Sequence, residues 1–134
     1  MAKMKIGQLA KISGVNLETI RFYEKRGLLP EPQRSAGGYR LYDEEDLLRL
    51  RFIRRAKDLG FTLKEIGELL ELRIESTGTC GEVKHLAEHK IQDVERKIQY
   101  LQRIRTVLNR LINQCVNEEI TAEECPILEA IEHD

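Results

Sequence analysis

Three cysteines, Cys80, Cys115 and Cys125, hold the most distinctive chemistry in this 134-residue sequence. The N-terminal residues Met1 to Lys5 have charge but no apolar run behind them, and no later apolar run is long enough to span a bilayer. The expected address is cytoplasmic, with no membrane partner. Disulfides are rare in that compartment, so three thiols there read as metal ligands or reactive groups. Thiolates select soft ions. Hg(II) accepts three sulfurs in a plane and Pb(II) accepts three in a pyramid, whereas structural Zn(II) prefers four ligands. Cys115 and Cys125 are separated by nine intervening residues and can meet by closing a short loop. Cys80 cannot reach them within one chain if the intervening segment is helical. Thirty-five residue steps at about 1.5 Å each separate it by roughly 52 Å. An antiparallel homodimer removes the difficulty, with Cys80 of one chain beside Cys115 and Cys125 of the other. His85 and His89 are read as neighbouring surface groups, and Glu118, Glu119, Glu123 and Glu124 as a solvated acidic loop.

A second set of residues suits nucleic acid. Ala10, Gly14 and Ile20 have the spacing of a helix-turn-helix: a small residue for close approach, a glycine for the turn's positive φ, and an apolar residue between the helices. The second helix would enter the major groove by its N-terminal turns. Thr19 and Arg21 are then placed for DNA contacts and Tyr23 for a phosphate. Arg34, Tyr39 and Arg40 lie on a glycine-tipped hairpin after that helix, available to phosphate oxygens as in a wing. Lys57, near the end of the next basic helix, is a further phosphate candidate.

The elements that must hold these groups follow from local signals. Asn16 is a good N-cap and Gly27 a C-terminal glycine for the second helix. Residues 37–42, Gly-Gly-Tyr-Arg-Leu-Tyr, read as the hairpin. Asp43 caps a third helix with Leu47, Leu50, Ile53 and Ala56 inward. Thr62 and Glu65 form a capping box for a fourth, with Ile66, Leu69 and Leu70 inward. After Gly81 no Gly or Pro occurs until Pro126. Ala87, Ile91, Val94, Ile98, Leu101, Leu108, Ile112 and Cys115 recur at spacings of three, four or seven, a heptad seam interrupted at Arg105. The expected organisation is a DNA-binding unit over 1–73, with the helix-turn-helix at 6–25 and the wing at 28–42. A linker over 74–80, a dimerisation helix over 81–115, and a loop with a short helix over 116–134 follow.

Charge agrees with that division. Residues 1–60 hold 13 basic and 8 acidic side chains, and residues 61–134 hold 9 and 15. The total of −1 hides a basic half joined to an acidic one. Six of the seven aromatics lie at or before residue 61. The second half has little with which to build a core of its own, and a partner helix is the simplest cover.

The motifs Ile6-Gly7-Gln8-Leu9-Ala10, Thr19-Ile20-Arg21-Phe22-Tyr23-Glu24, Gly27-Leu28-Leu29, Tyr39-Arg40-Leu41-Tyr42 and Leu59-Gly60-Phe61-Thr62-Leu63-Lys64-Glu65-Ile66 resemble the MerR family of transcription regulators. The resemblance covers essentially the whole chain. It implies a mainly α fold: a winged helix-turn-helix domain, a long antiparallel coiled-coil dimerisation helix and a C-terminal metal-binding loop. It implies binding to double-stranded promoter DNA at an overlong spacer, repression when apo, and activation by underwinding that lets RNA polymerase engage both promoter elements. It also implies that Thr19, Arg21, Tyr23, Arg34, Tyr39, Arg40 and Lys57 lie at or near the DNA. Cys80-Gly81-Glu82-Val83, Leu86 to Lys90 and Cys125-Pro126-Ile127-Leu128 are most similar to mercury-responsive members. Hg(II) is therefore the expected effector, with Pb(II), Cd(II) and Zn(II) as alternatives. A redox-sensing regulator using a Cys115–Cys125 disulfide is the rival reading, and a ligand-free DNA-architectural protein a third. An enzyme is the weakest class, since no nucleophile–base set or phosphate-cradling glycine loop occurs.

Overall fold

The structure, a computed structural model, describes residues 3–74 and 77–133. The elements in order are α1 (Ile6–Ser13), α2 (Leu17–Lys25), β1 (Gln33–Arg34), β2 (Arg40–Leu41), α3 (Glu44–Asp58), α4 (Leu63–Ile74), α5 (Cys80–Ile112), a 3-10 turn (Ala122–Glu124) and α6 (Pro126–Glu132). Two compact units result, Met1–Lys90 and Ile91–Asp134.

The first unit is built by strong local signals around one core. The Asn16 side chain accepts the Thr19 N–H at 2.8 Å and starts α2. Asp43 and Asp46 exchange bonds with each other's backbone at the start of α3, and Thr62 and Glu65 do the same at α4. Leu47, Leu50, Ile53 and Ala56 of α3 are buried, as are Ile66, Leu69 and Leu70 of α4. All of these but Leu69 meet Leu9 of α1 and Ile20 of α2 in one cluster. Ile12 of α1 is exposed.

The turn between α1 and α2 requires its glycine twice over. Gly14 has φ +73°, a region that costs other residues about 1–2 kcal/mol. A Cβ there would also run into the Arg54 guanidinium, which donates to the Ser13 carbonyl at 3.1 Å. Arg49 is used similarly, its Nε donating to the Leu28 carbonyl at 2.7 Å. Two arginines of the basic third helix thus staple the helix-turn-helix and the chain beyond it to α3. Their sequence gave them only a charge.

The wing is a two-stranded antiparallel pair, with Gln33 opposite Leu41 and Arg34 opposite Arg40. Met4 adds an isolated bridge to Tyr42, exchanging both N–H···O bonds at 2.8 Å.

The linker expected at 74–80 is shorter than that range: Ile74 closes α4 and Cys80 opens α5. Glu75 and Ser76, within it, lie outside the described residues. The Thr79 hydroxyl oxygen accepts the Glu82 N–H at 3.2 Å and caps α5. The first turns of α5, through Lys90, belong to the first compact unit. Lys90 is buried and paired to Glu65 at 2.7 Å, its ammonium 5.7 Å from the Phe61 ring centre. That bond, with the Thr62 backbone N–H, holds the Glu65 carboxyl below its ordinary range.

In the second unit α5 stops at Ile112, three residues short of the expected end. The chain tightens there, with Gln114 N–H bonded to the Leu111 carbonyl and Cys115 N–H to the Ile112 carbonyl. Cys115 is consequently a loop residue, not the last seam position of the helix. Ile91, Val94, Ile98, Leu101, Leu108 and Ile112 are all exposed. Among the described residues no helix is long and apolar enough to cross a membrane.

Candidate functional site

Two groups of side chains stand out, one in each functional half of the chain. On α2, Arg21 is exposed and Thr19 half-buried. On the wing, Arg34 is exposed and Tyr39 is 57% exposed. Arg34 donates to the Gly38 carbonyl at 3.0 Å, which folds it along the turn. Lys57 is exposed near the end of α3.

Tyr23 lies deeper in α2 than Arg21. It is only 4% exposed and belongs to the core, where burial pushes its phenol pKa up. The reason is its position: three residues after Ile20, it shares the inward face of α2. Its ring packs in the core.

Arg40 has an internal partner. Its Nη1 donates to Glu24 Oε2 at 2.7 Å, and the Tyr42 hydroxyl donates to Glu24 Oε1. Tyr42 is fully buried, and its phenol is pushed up to about 12 by burial first and by the Glu24 carboxylate second. Arg40 opposes the shift. A phenol whose folded pKa exceeds the unfolded value of 10 adds stability that is complete below pH 10. That contribution is lost as pH rises from 10 through about 12. Urea midpoints measured across that window should therefore fall more steeply for the wild type than for Tyr42→Phe. Parallel curves would remove Tyr42 from the alkaline transition.

Two lysines went unnoticed in the sequence. The Lys5 ammonium sits 4.1 Å over the centre of the Tyr39 ring, and Lys3 bonds the Gln33 side chain. The N-terminal residues thus add positive charge beside the wing. The Met4–Tyr42 bridge holds them there, and no motif in the sequence announces that pairing.

The cysteines are all free thiols. Cys80 is exposed at the first turn of α5. Cys115 and Cys125 are half-buried in the second unit. Asn117 shapes the loop between them, its side chain accepting the Glu119 N–H at 3.1 Å and its carbonyl the Ile120 N–H at 3.2 Å. Cys125 precedes Pro126, which starts α6 with its fixed φ.

Residues 4–72 match the description "MerR HTH family regulatory protein", and residues 47–111 match "MerR, DNA binding". This chain belongs to the MerR family. As a MerR-family protein it is a DNA-binding transcription regulator and not an enzyme. It is 44% identical over 132 residues to the mercuric resistance operon regulatory protein of Serratia marcescens, covering 98% of this chain and 90% of that one. Among solved structures it is similar to the regulator PbrR691 from Ralstonia metallidurans CH34 in complex with lead(II). The TM-score there is 0.82 at 44% identity, over 96% of this chain and 98% of that one. It is also similar to HiNmlR, a MerR family regulator bound to promoter DNA, with a TM-score of 0.60 at 29% identity over 84% and 86% of the two chains. The winged helix-turn-helix followed by a long helix agrees with the fold expected of this family.

Proposed function

We propose that this protein is a metal-responsive transcription regulator whose effector is Hg(II). It binds a promoter spacer as a homodimer, represses when apo, and on loading distorts the DNA so that RNA polymerase can engage both elements. The observation that carries the metal reading is the set of three free thiols, with Cys80 opening a continuous 33-residue helix and Cys115 and Cys125 following its end. Such a helix is about 50 Å long. A shared site therefore takes Cys80 from one protomer and the partner's Cys115 and Cys125. Three soft sulfurs fit Hg(II). The exposed apolar residues of α5 support the dimer, since a helix with that stripe gains by burying it against a second copy. The likeness to a mercuric resistance regulator points the same way. Pb(II) is the second reading, favoured by the lead(II) complex of PbrR691.

Thr19, Arg21, Tyr23, Arg34, Tyr39, Arg40 and Lys57 are the proposed DNA contacts. The test of the metal reading is titration of the reduced protein. Sulfur-to-mercury charge-transfer absorption should saturate at two Hg(II) per dimer, and transcription in vitro should rise with loading. Saturation at one per dimer would contradict the shared three-thiolate site. Activation by an oxidant without metal would favour a redox sensor, and activation by Pb(II) but not Hg(II) would favour the second reading.

A further inference from the structure

Glu24 is an acidic residue in a place where acid should be unwelcome. It lies on α2, three residues after Arg21, in the half of the chain that carries the positive charge. Its side chain is only 9% exposed, and both of its carboxylate oxygens are committed. Oε2 accepts from Arg40 of β2 at 2.7 Å, and Oε1 accepts from Tyr42 just beyond that strand. Tyr42 is in turn bridged to Met4 through two backbone bonds. One carboxylate therefore ties α2 to the return strand of the wing and, through Tyr42, to Met4 at the N-terminal end.

The wing needs such a tie. Each of its strands has two residues. A lone two-stranded hairpin of ordinary length is already marginal in water. Most of its residues are exposed, so burial contributes little to holding it. Charge-assisted bonds from a nearly buried carboxylate are of the strong kind.

We propose that Glu24 is a positioning residue for DNA binding. It fixes the wing against α2, so that Arg34 and Tyr39 stand at a set distance from Thr19 and Arg21 and all four meet one duplex together. Arg40 becomes a strut of this clamp, and its expected phosphate contact is secondary. The inference rests on the DNA-facing role given above to α2 and the wing.

The experiment uses the full chain and a duplex enriched from a random-sequence pool by the wild type. Affinity is read by fluorescence anisotropy across a salt series. Simple electrostatics expects Glu24→Gln to bind DNA more tightly, because a negative charge near phosphates is gone. The clamp expects the opposite: binding weaker by about tenfold, the equivalent of one charge-assisted bond. It also expects a shallower salt slope as wing contacts are lost. Tyr42→Phe, which keeps the ring and removes one bond, should fall between. In the Glu24→Gln, Arg40→Gln cycle, the double variant should bind no worse than the weaker single, because both break the same clamp. Circular dichroism checks the fold. If Glu24→Gln melts, Glu24→Asp replaces it; Asp keeps the charge but withdraws the carboxylate by one methylene, and the same loss is expected. Glu24→Gln binding as tightly as the wild type or more so, or losses that multiply in the cycle, would overturn the clamp. A wild type that enriches no duplex would overturn the DNA-facing role itself, a different failure from intact binding by the variants.

Discussion

Cys80→Ser is expected to abolish metal-dependent activation while leaving DNA binding by the apo protein intact. Serine keeps the size of the side chain but replaces a soft sulfur with a hard oxygen. Cys80 is exposed and supports no core contact, so the substitution should leave the fold unchanged. Loss of a partner that merely supports a ligand costs about 10–100-fold in metal affinity. Loss of one of three ligands should cost at least that. Cys115 and Cys125 would still bind Hg(II) as a pair, so the charge-transfer band should change shape rather than vanish. Transcription should stay at the apo level at Hg(II) concentrations that saturate the wild type. The shared site predicts one further result. Heterodimers of Cys80→Ser and Cys115→Ser chains should retain one complete site, because one interface combines the intact Cys80 of one chain with the intact loop of the other. Full activation by Cys80→Ser homodimers would limit the sensor to the loop thiols.

Ile20→Ala should weaken DNA binding by destabilising the fold. Ile20 is completely buried in the cluster that joins the helix-turn-helix to α3 and α4. Truncating a buried isoleucine to alanine costs about 2–5 kcal/mol, and the loss grows with the cavity left behind. Small domains have only about 5–15 kcal/mol in total. The urea midpoint should drop with little change in its slope. DNA affinity should weaken in proportion to the fraction unfolded, although Ile20 itself touches no phosphate. Metal binding by the loop thiols should survive. A midpoint unchanged within experimental scatter would mean that Ile20 does not bridge the two helices.

The two experiments address different parts of the chain, and those parts differed in how far they could be read in advance. The starts of α2, α3 and α4 were legible. Asn16 caps α2, and Thr62 with Glu65 boxes α4, as their spacing implied. The inward faces of α3 and α4 also agree with their periodicity. The end of α5 was less legible. The apolar spacing carries on through Cys115, but the backbone turns after Ile112. Periodicity reports which face is apolar, and a loop residue can satisfy it by coincidence.

The basic residues show the same contrast. All of them counted equally as positive charge in the sequence. Arg21 and Lys57 remain exposed, whereas Arg40, Arg49 and Arg54 are bonded to groups 16, 21 and 41 residues away. Tyr23 and Tyr39 likewise looked equivalent, yet one is core and the other is surface.

Local chemistry along the chain thus decided the helices, the turns, the family and the three thiols, because caps, glycines and apolar periods act over a few residues. Which charges are free to meet a phosphate was decided only when the chain folded. Those assignments depend on carboxylates and carbonyls brought near from distant positions, and nothing in the spacing of neighbours records them. Glu24 is the clearest instance: an acid among bases in the sequence, and in the structure the point at which the recognition helix holds the wing.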